Sequence, residues 1–214
     1  MPIMPRRVIL GMTGATGAAI GVEILRRLRE QPGIETHLVL SQWAKATIHL
    51  ETDLTVREIA ALADVTYAWN DQGAAISSGS FTAEAMIVAP CSMKTLAGIR
   101  TGYAEGLIAR AADVTLKEGR RLVLMPRETP LSEIHLENML ALARMGARIV
   151  PPMPAFYQRP ASIEDMVAQL ALRALDQLDI HIPSPQRWDG MPRPVKPTVE
   201  PSVEPSAELT GRSL

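Results

Sequence analysis

Pro126-Arg127-Glu128-Thr129-Pro130 sets a guanidinium beside a carboxyl on a segment stiffened by a proline at each end. Such a pair can bind a phosphate and hand it a proton, or it can be a surface ion pair of little energetic weight. A second cluster, Pro90-Cys91-Ser92-Met93-Lys94-Thr95, offers an anion two hydroxyls and the amides of a helix start. A capping box is the plain alternative there, although its third position carries Thr in place of Glu. Cys91 has apolar neighbours and no histidine nearby, so it reads as a buried structural thiol before it reads as a nucleophile. A third cluster, Gly11-Met12-Thr13-Gly14-Ala15-Thr16-Gly17-Ala18, can cradle a phosphate on its backbone N–H groups. It can equally be a tight turn with no ligand, since its spacing is not Gly-x-Gly-x-x-Gly. Tyr157 and Arg173, taken singly, read as surface or packing residues. His37, His49, His135 and His181 show no metal-ligand spacing with one another, with Cys91 or with nearby carboxylates, so no metal site is expected. Neither a Gly-x-Ser-x-Gly nor a Walker sequence occurs.

Each cluster lies where a strand pattern gives way to a helix pattern. Val8–Leu10, Thr36–Leu40, Ala85–Ala89, Arg121–Met125 and Ala147–Val150 read as five buried strands. Helical spacing follows over Ala18–Glu30, from Gln42 with Ser41 as its cap, and over Thr55–Ala63 with Thr55 and Glu58 in capping-box spacing. Further helices are expected over Met93–Arg100, Leu107–Lys117, Ser132–Met145 (strongly amphipathic) and Ser162–Leu178. This alternation predicts an α/β fold, a Rossmann-like three-layer sandwich with a mostly parallel sheet and helices on both faces. Ligands of such sheets bind beyond the carboxyl ends of the strands, where all three clusters fall.

The bulk properties set outer bounds. A chain of 214 residues suits one domain with a sizeable core. A net charge of −1 gives no electrostatic case for nucleic acid or an anionic membrane as partner. No apolar run reaches a membrane-spanning length, the N-terminus lacks a signal-peptide pattern, and a lone cysteine fits a reducing compartment, so the cytoplasm is expected. The core must rest on Ala, Leu, Ile, Val and Met because aromatics make up only 4%. Apolar helices in a chain of this size point to self-association. Residues 1–182 are expected to form the domain. Residues 183–214, with seven prolines and a repeated Val-Glu-Pro-Ser, are expected to form a disordered tail.

Taken together, the stretches GMTGATGA, LVLSQWAKATIHLE, AAISSGSF, PCSMKTLAGIRTGYAEGLIARAADVTLKE, LVLMPRETPLSEIHLENML and PPMPAFY resemble the UbiX-type flavin prenyltransferases. They span nearly all of residues 6 to 180, and PCSMKT and PRETPLS are the specific ones. The resemblance implies transfer of the dimethylallyl group of dimethylallyl monophosphate to N5 and C6 of reduced FMN, without a metal. The product, prenylated FMN, would serve a UbiD-type decarboxylase, whether in ubiquinone synthesis or in aromatic-acid decarboxylation. The resemblance further implies that Gly14, Ala15, Thr16, Ser41, Ser92, Met93, Lys94, Thr95 and Arg127 hold the flavin. It assigns Lys117, Arg127, Glu128, Tyr157 and Arg173 to the prenyl phosphate, and Glu51, Lys117, Glu128 and Thr16 to catalysis. It also implies a homo-oligomer, a dodecamer, with sites formed between protomers. Thr16 departs from the family, which usually carries Ser there; the hydroxyl survives and the added methyl bears on rate and donor preference.

The alternative is a flavin-dependent peptidyl-cysteine or phosphopantothenoylcysteine decarboxylase. Those enzymes resemble this chain in fold, but they place a catalytic histidine on the loop that here reads Ala74-Ala75-Ile76-Ser77-Ser78-Gly79. A direct aromatic-acid decarboxylase and a flavin carrier protein are further readings; the carrier would need neither Lys117, Glu128 nor Tyr157.

Overall fold

The computed structural model describes residues 5–184, Arg187 and Gly190. Apart from Pro183, Ser184, Arg187 and Gly190, the expected tail lies outside the described residues. Six strands form one sheet in the order β3-β2-β1-β4-β5-β6, every neighbouring pair parallel. The strands are β1 (Arg6–Met12), β2 (Ile34–Leu40), β3 (Val65–Tyr67), β4 (Ala85–Cys91), β5 (Arg121–Pro126) and β6 (Arg148–Ile149). The helices are α1 (Ala18–Arg29), α2 (Gln42–Glu51), α3 (Val56–Ala60), α4 (Met93–Thr101), α5 (Leu107–Lys117), α6 (Glu133–Arg144) and α7 (Ile163–Asp176).

Strand side chains alternate between two cores. Leu10, Met12, Leu38, Ile87 and Met125 meet α1 and α7 on one face. Ile9, Val39, Met86, Val88 and Leu124 meet α4 and α5 on the other. Burial on both faces explains why the central strands read as unbroken apolar runs. α1 can approach β4 closely because Gly21 has no side chain. A Cβ there would stand 2.6 Å from the Ala89 carbonyl oxygen and 2.7 Å from the Met12 methyl.

The caps follow the sequence. Ser41, Thr55, Ser92, Ser132 and Ser162 each accept an amide N–H from the first turn of their helix. One strand was not read in advance. β3 was not expected, because its three residues are edge residues with a polar, exposed Thr66 at the centre. The amphipathic α6 does not bury its apolar stripe within the protomer: only Leu142 is buried, while Ile134, Leu136 and Leu140 are all more than half exposed. The neighbouring β6 is two residues long and offers little sheet for α6 to cover.

Candidate functional site

The order of strands reverses between β1 and β4, and the loops that leave their carboxyl ends diverge there to open a crevice. Thr13 holds the two ends together: its buried hydroxyl donates to the Pro90 carbonyl at 2.8 Å and accepts the Ser92 N–H at 2.8 Å. Next to it, the Ser41 N–H donates to the Met12 carbonyl and the Arg127 N–H to the Cys91 carbonyl. The starts of four loops are thereby fixed on the strand edge.

A cleft of about 710 Å³ opens at this place. Its polar floor includes Gly14, Ser41, Ser92 and Thr95, and its walls include Trp43, Trp69 and Tyr103. Ser92 Oγ accepts the Thr95 N–H and donates to Thr95 Oγ1 at 3.1 Å, so the cap that the sequence left open is a true N-cap with two hydroxyls at the helix start. Lys94 lines the mouth and pairs with Glu105 at 3.2 Å across it. Gly14 lets the β1–α1 loop lie against α2: a Cβ on it would meet Trp43 Cβ at 2.3 Å. Ala15 and the exposed Thr16 follow at the tip of that loop, and Met93 begins α4 half-buried. The volume falls within the range of small-molecule sites, and the mixture of apolar walls with a few hydroxyls is what a ring system with a polar side chain requires. The three aromatic walls were missed in the sequence; Trp43 was visible inside LVLSQWAKATIHLE but carried no spacing signal of its own.

The glycine turn behaves differently from its phosphate reading. The N–H groups of Gly17 and Ala18 donate to Glu51 Oε2 at 2.9 and 2.8 Å, so the first amides of α1 already hold an anion belonging to the chain. Glu51 does not line the cleft. Cys91 is fully buried beneath it, and burial pushes its thiol up to about 12, which removes it as a nucleophile.

A second cleft, of about 570 Å³, lies beside α7. Tyr157 and Arg173 line it together with Gln158, Gln169, Asp176 and Arg187. The remaining residues of the expected prenyl-phosphate set stand elsewhere. Arg127 and Glu128 leave the carboxyl end of β5, exposed, with Glu128 Oε1 accepting the Thr129 N–H at 3.0 Å. Lys117 ends α5 and pairs with Glu118, whose carboxyl that contact holds below its usual range. Lys117 precedes β5 and Arg127 follows it. Six strand residues put the two at opposite edges of the sheet, about 20 Å apart. One protomer therefore does not bring Lys117 to Glu128, and neither of these lines the two clefts.

Ala74 and Ala75 sit at a short 3₁₀ turn, with no histidine at these positions. Among the described residues no cluster of His, Cys, Asp and Glu could hold a metal ion, and no helix is long and apolar enough to cross a membrane.

The Flavoprotein family model matches residues 3–172. A probable UbiX-like flavin prenyltransferase from Streptomyces sp. (strain D7) is 65% identical over 185 residues, 86% of this chain and 92% of that protein. The solved dodecameric FMN-dependent UbiX-like decarboxylase from Escherichia coli O157:H7 superposes with a TM-score of 0.84 at 62% identity, over 86% of this chain and 100% of the other. AnUbiX (PadA1), solved in complex with FMN and dimethylallyl pyrophosphate, superposes with a TM-score of 0.84 at 53% identity, over 88% and 100%. Named relatives at this identity do not favour the cysteine-type decarboxylase alternative. The chain belongs to the flavoproteins and, among them, to the UbiX-like flavin prenyltransferases.

Proposed function

We propose that the first cleft takes reduced FMN and that the chain joins to its N5 and C6 the dimethylallyl group of dimethylallyl monophosphate. The observation that carries this reading is the cleft itself. Gly14, Ser41, Ser92, Lys94 and Thr95, expected from the sequence to hold a flavin, gather around one opening at the sheet crossover. AnUbiX, a solved relative, was captured with FMN and dimethylallyl pyrophosphate. The flavin supplies the electron-rich atoms that the prenyl group joins; the protein's part is to bind, orient and keep water out.

Within that reading, Ser92, Met93, Lys94 and Thr95 hold the phosphate and ribityl side. Gly14, Ala15, Thr16 and Ser41 border the ring, and Arg127 contacts the flavin from the β5 end. Glu51 acts by fixing the turn that carries Thr16. Arg127, Lys117, Tyr157 and Arg173 stabilise the departing phosphate while Glu128 protonates it, which eases ionisation of the allylic C–O bond. The strand-length separation of Lys117 from Glu128 supports a site completed by a neighbouring copy. The exposed apolar face of α6 and the dodecameric relative support the same arrangement. We further propose a domain of residues 1–182, a UbiD-type decarboxylase as recipient of the product, and action in the cytoplasm, in keeping with the free, buried Cys91.

Purified protein given FMN, a reductant and dimethylallyl monophosphate should yield a flavin heavier by one prenyl unit by mass spectrometry. Recovery of unmodified FMN alone, with the monophosphate and the diphosphate donor alike, would sink the proposal.

A further inference from the structure

Arg173 and Asp176 stand three residues apart on the same face of α7, within reach of each other. They nevertheless keep a separation of 3.9 Å, beyond a hydrogen bond, and the Arg173 side chain remains 69% exposed at the second cleft. Asp176 is the better buried of the two, its side chain only 12% exposed, and it has other partners. Arg187 grips it with both prongs of its guanidinium, Nη1 to Oδ2 at 3.0 Å and Nη2 to Oδ1 at 2.8 Å. His181 Nδ1 adds a contact to Oδ1 at 3.2 Å. Burial pushes the Asp176 carboxyl up, but the hydrogen bonds and electrostatic attraction of Arg187 and His181 together outweigh it and hold it below the usual carboxylate range.

The Arg187 guanidinium is itself held: Nε and Nη2 donate to the Ile182 carbonyl at 3.1 and 2.8 Å. It therefore approaches Asp176 in one fixed, fork-to-fork geometry. This residue comes from the segment after α7 and was not singled out in the sequence.

We infer that Arg187 is a positioning residue for anion binding in the second cleft: by occupying the Asp176 carboxylate, it keeps Arg173 available for the phosphate of the prenyl donor. A largely buried carboxylate that loses its guanidinium partner needs another permanent cation, and among the described residues Arg173 is the other arginine beside it. Loss of Arg187 therefore draws Arg173 onto Asp176 and away from the incoming phosphate. The inference rests on assigning Tyr157 and Arg173 to the prenyl phosphate.

The test measures KM and kcat for dimethylallyl monophosphate on the full chain, with FMN affinity and melting temperature measured alongside. Arg187→Ala should raise KM by about tenfold or more, with kcat and FMN affinity little changed. Arg187→Lys should fall between it and the parent, since one ammonium cannot grip both oxygens. The deciding variant is the pair Asp176→Asn with Arg187→Ala. It removes the competing charge and should return KM towards the parent value, which a merely structural role of Arg187 would not do. An unchanged KM in Arg187→Ala, or a raised KM that the double variant fails to lower, would overturn the inference. Should Arg187→Ala fail to fold, Asp176→Asn alone decides: KM equal to or below the parent supports the inference, and a tenfold rise overturns it. Arg173→Ala separates phosphate binding in this cleft from the positioning role of Arg187. If it leaves KM unchanged, the assignment of the cleft to the prenyl phosphate fails; if it raises KM while Arg187→Ala does not, only the positioning role fails.

Discussion

The carboxylate of Glu51 accepts the backbone N–H of Ala18 at 2.8 Å. It takes the Gly17 N–H at 2.9 Å as well, so the last residue of α2 caps the first turn of α1. Two amides without a helical partner are satisfied, and a negative charge sits on the positive end of the helix dipole. A flavin phosphate arriving there would have to displace it, whereas the start of α4, with Ser92, Lys94 and Thr95, opens onto the cleft.

Glu51→Ala should cost about 1 kcal/mol, the size of a lost N-cap. The melting temperature of a chain this long should fall by about 2–4 °C. FMN affinity should fall with it, because the turn carrying Gly14 and Thr16 loosens; Glu51→Gln, which keeps an acceptor oxygen but no charge, should lie between. A Glu51→Ala variant that melts like the parent and yet loses prenyl transfer would move Glu51 from a turn-holding role to the reacting ring alone.

Gly14→Ala should abolish FMN binding. Its Cβ would stand 2.3 Å from Trp43 Cβ, so the β1–α1 loop or α2 must shift. Overpacking of this kind costs about 1–3 kcal/mol. Fluorescence titration with FMN reads the binding loss and thermal denaturation reads the stability. Parent-like values in both would mean that the loop adapts without consequence.

Glu128→Gln should leave FMN affinity intact and slow prenyl transfer by about 100-fold, the scale of a lost general acid. Single-turnover formation of the heavier flavin is the readout. An unchanged rate would remove Glu128 from phosphate protonation.

His37 should make stability fall in mild acid. Its Nε2 lies 2.8 Å from Glu35 Oε1 and its Nδ1 lies 3.0 Å from the Tyr67 hydroxyl. A carboxylate only accepts, so Nε2–H donates to Glu35 and neutral Nδ1 accepts from Tyr67. Burial lowers the His37 pKa below 6.5, with Glu35 opposing in part. The unfolded chain then binds a proton more readily than the folded one. The contribution is complete above about pH 6.5 and is lost as pH falls through the lower folded value. Melting curves of His37→Gln against the parent between about pH 5 and 7 should show a flatter dependence for the variant. Equal slopes would assign the acid sensitivity to other groups.

Much of this was legible in advance, and the reason is local. Ser41, Thr55, Ser92, Ser132 and Ser162 announce helix starts because a cap is decided by a few consecutive residues. Buried central strands announce themselves as apolar runs. The loops that line the first cleft were legible because each follows a strand. What could not be read depends on contacts distant in sequence. Nothing in Gly17 or Ala18 points to Glu51, 34 and 33 residues away. Nothing in Arg127 tells that Lys117 lies at the other edge of the sheet until β5 is laid between them. Trp43, Trp69 and Tyr103 come from three separate segments, and only the fold makes them walls of one cleft. The strand β3 was too short and too polar to carry a period.

The length of β5 also has a genetic meaning. If each working site draws Lys117 from one copy and Glu128 from another, then Lys117→Ala and Glu128→Gln damage different halves of it. Either allele alone would be impaired. Co-expressed in mixed assemblies, the two should complement each other, because a Glu128→Gln chain still lends its lysine to a Lys117→Ala neighbour that keeps its glutamate.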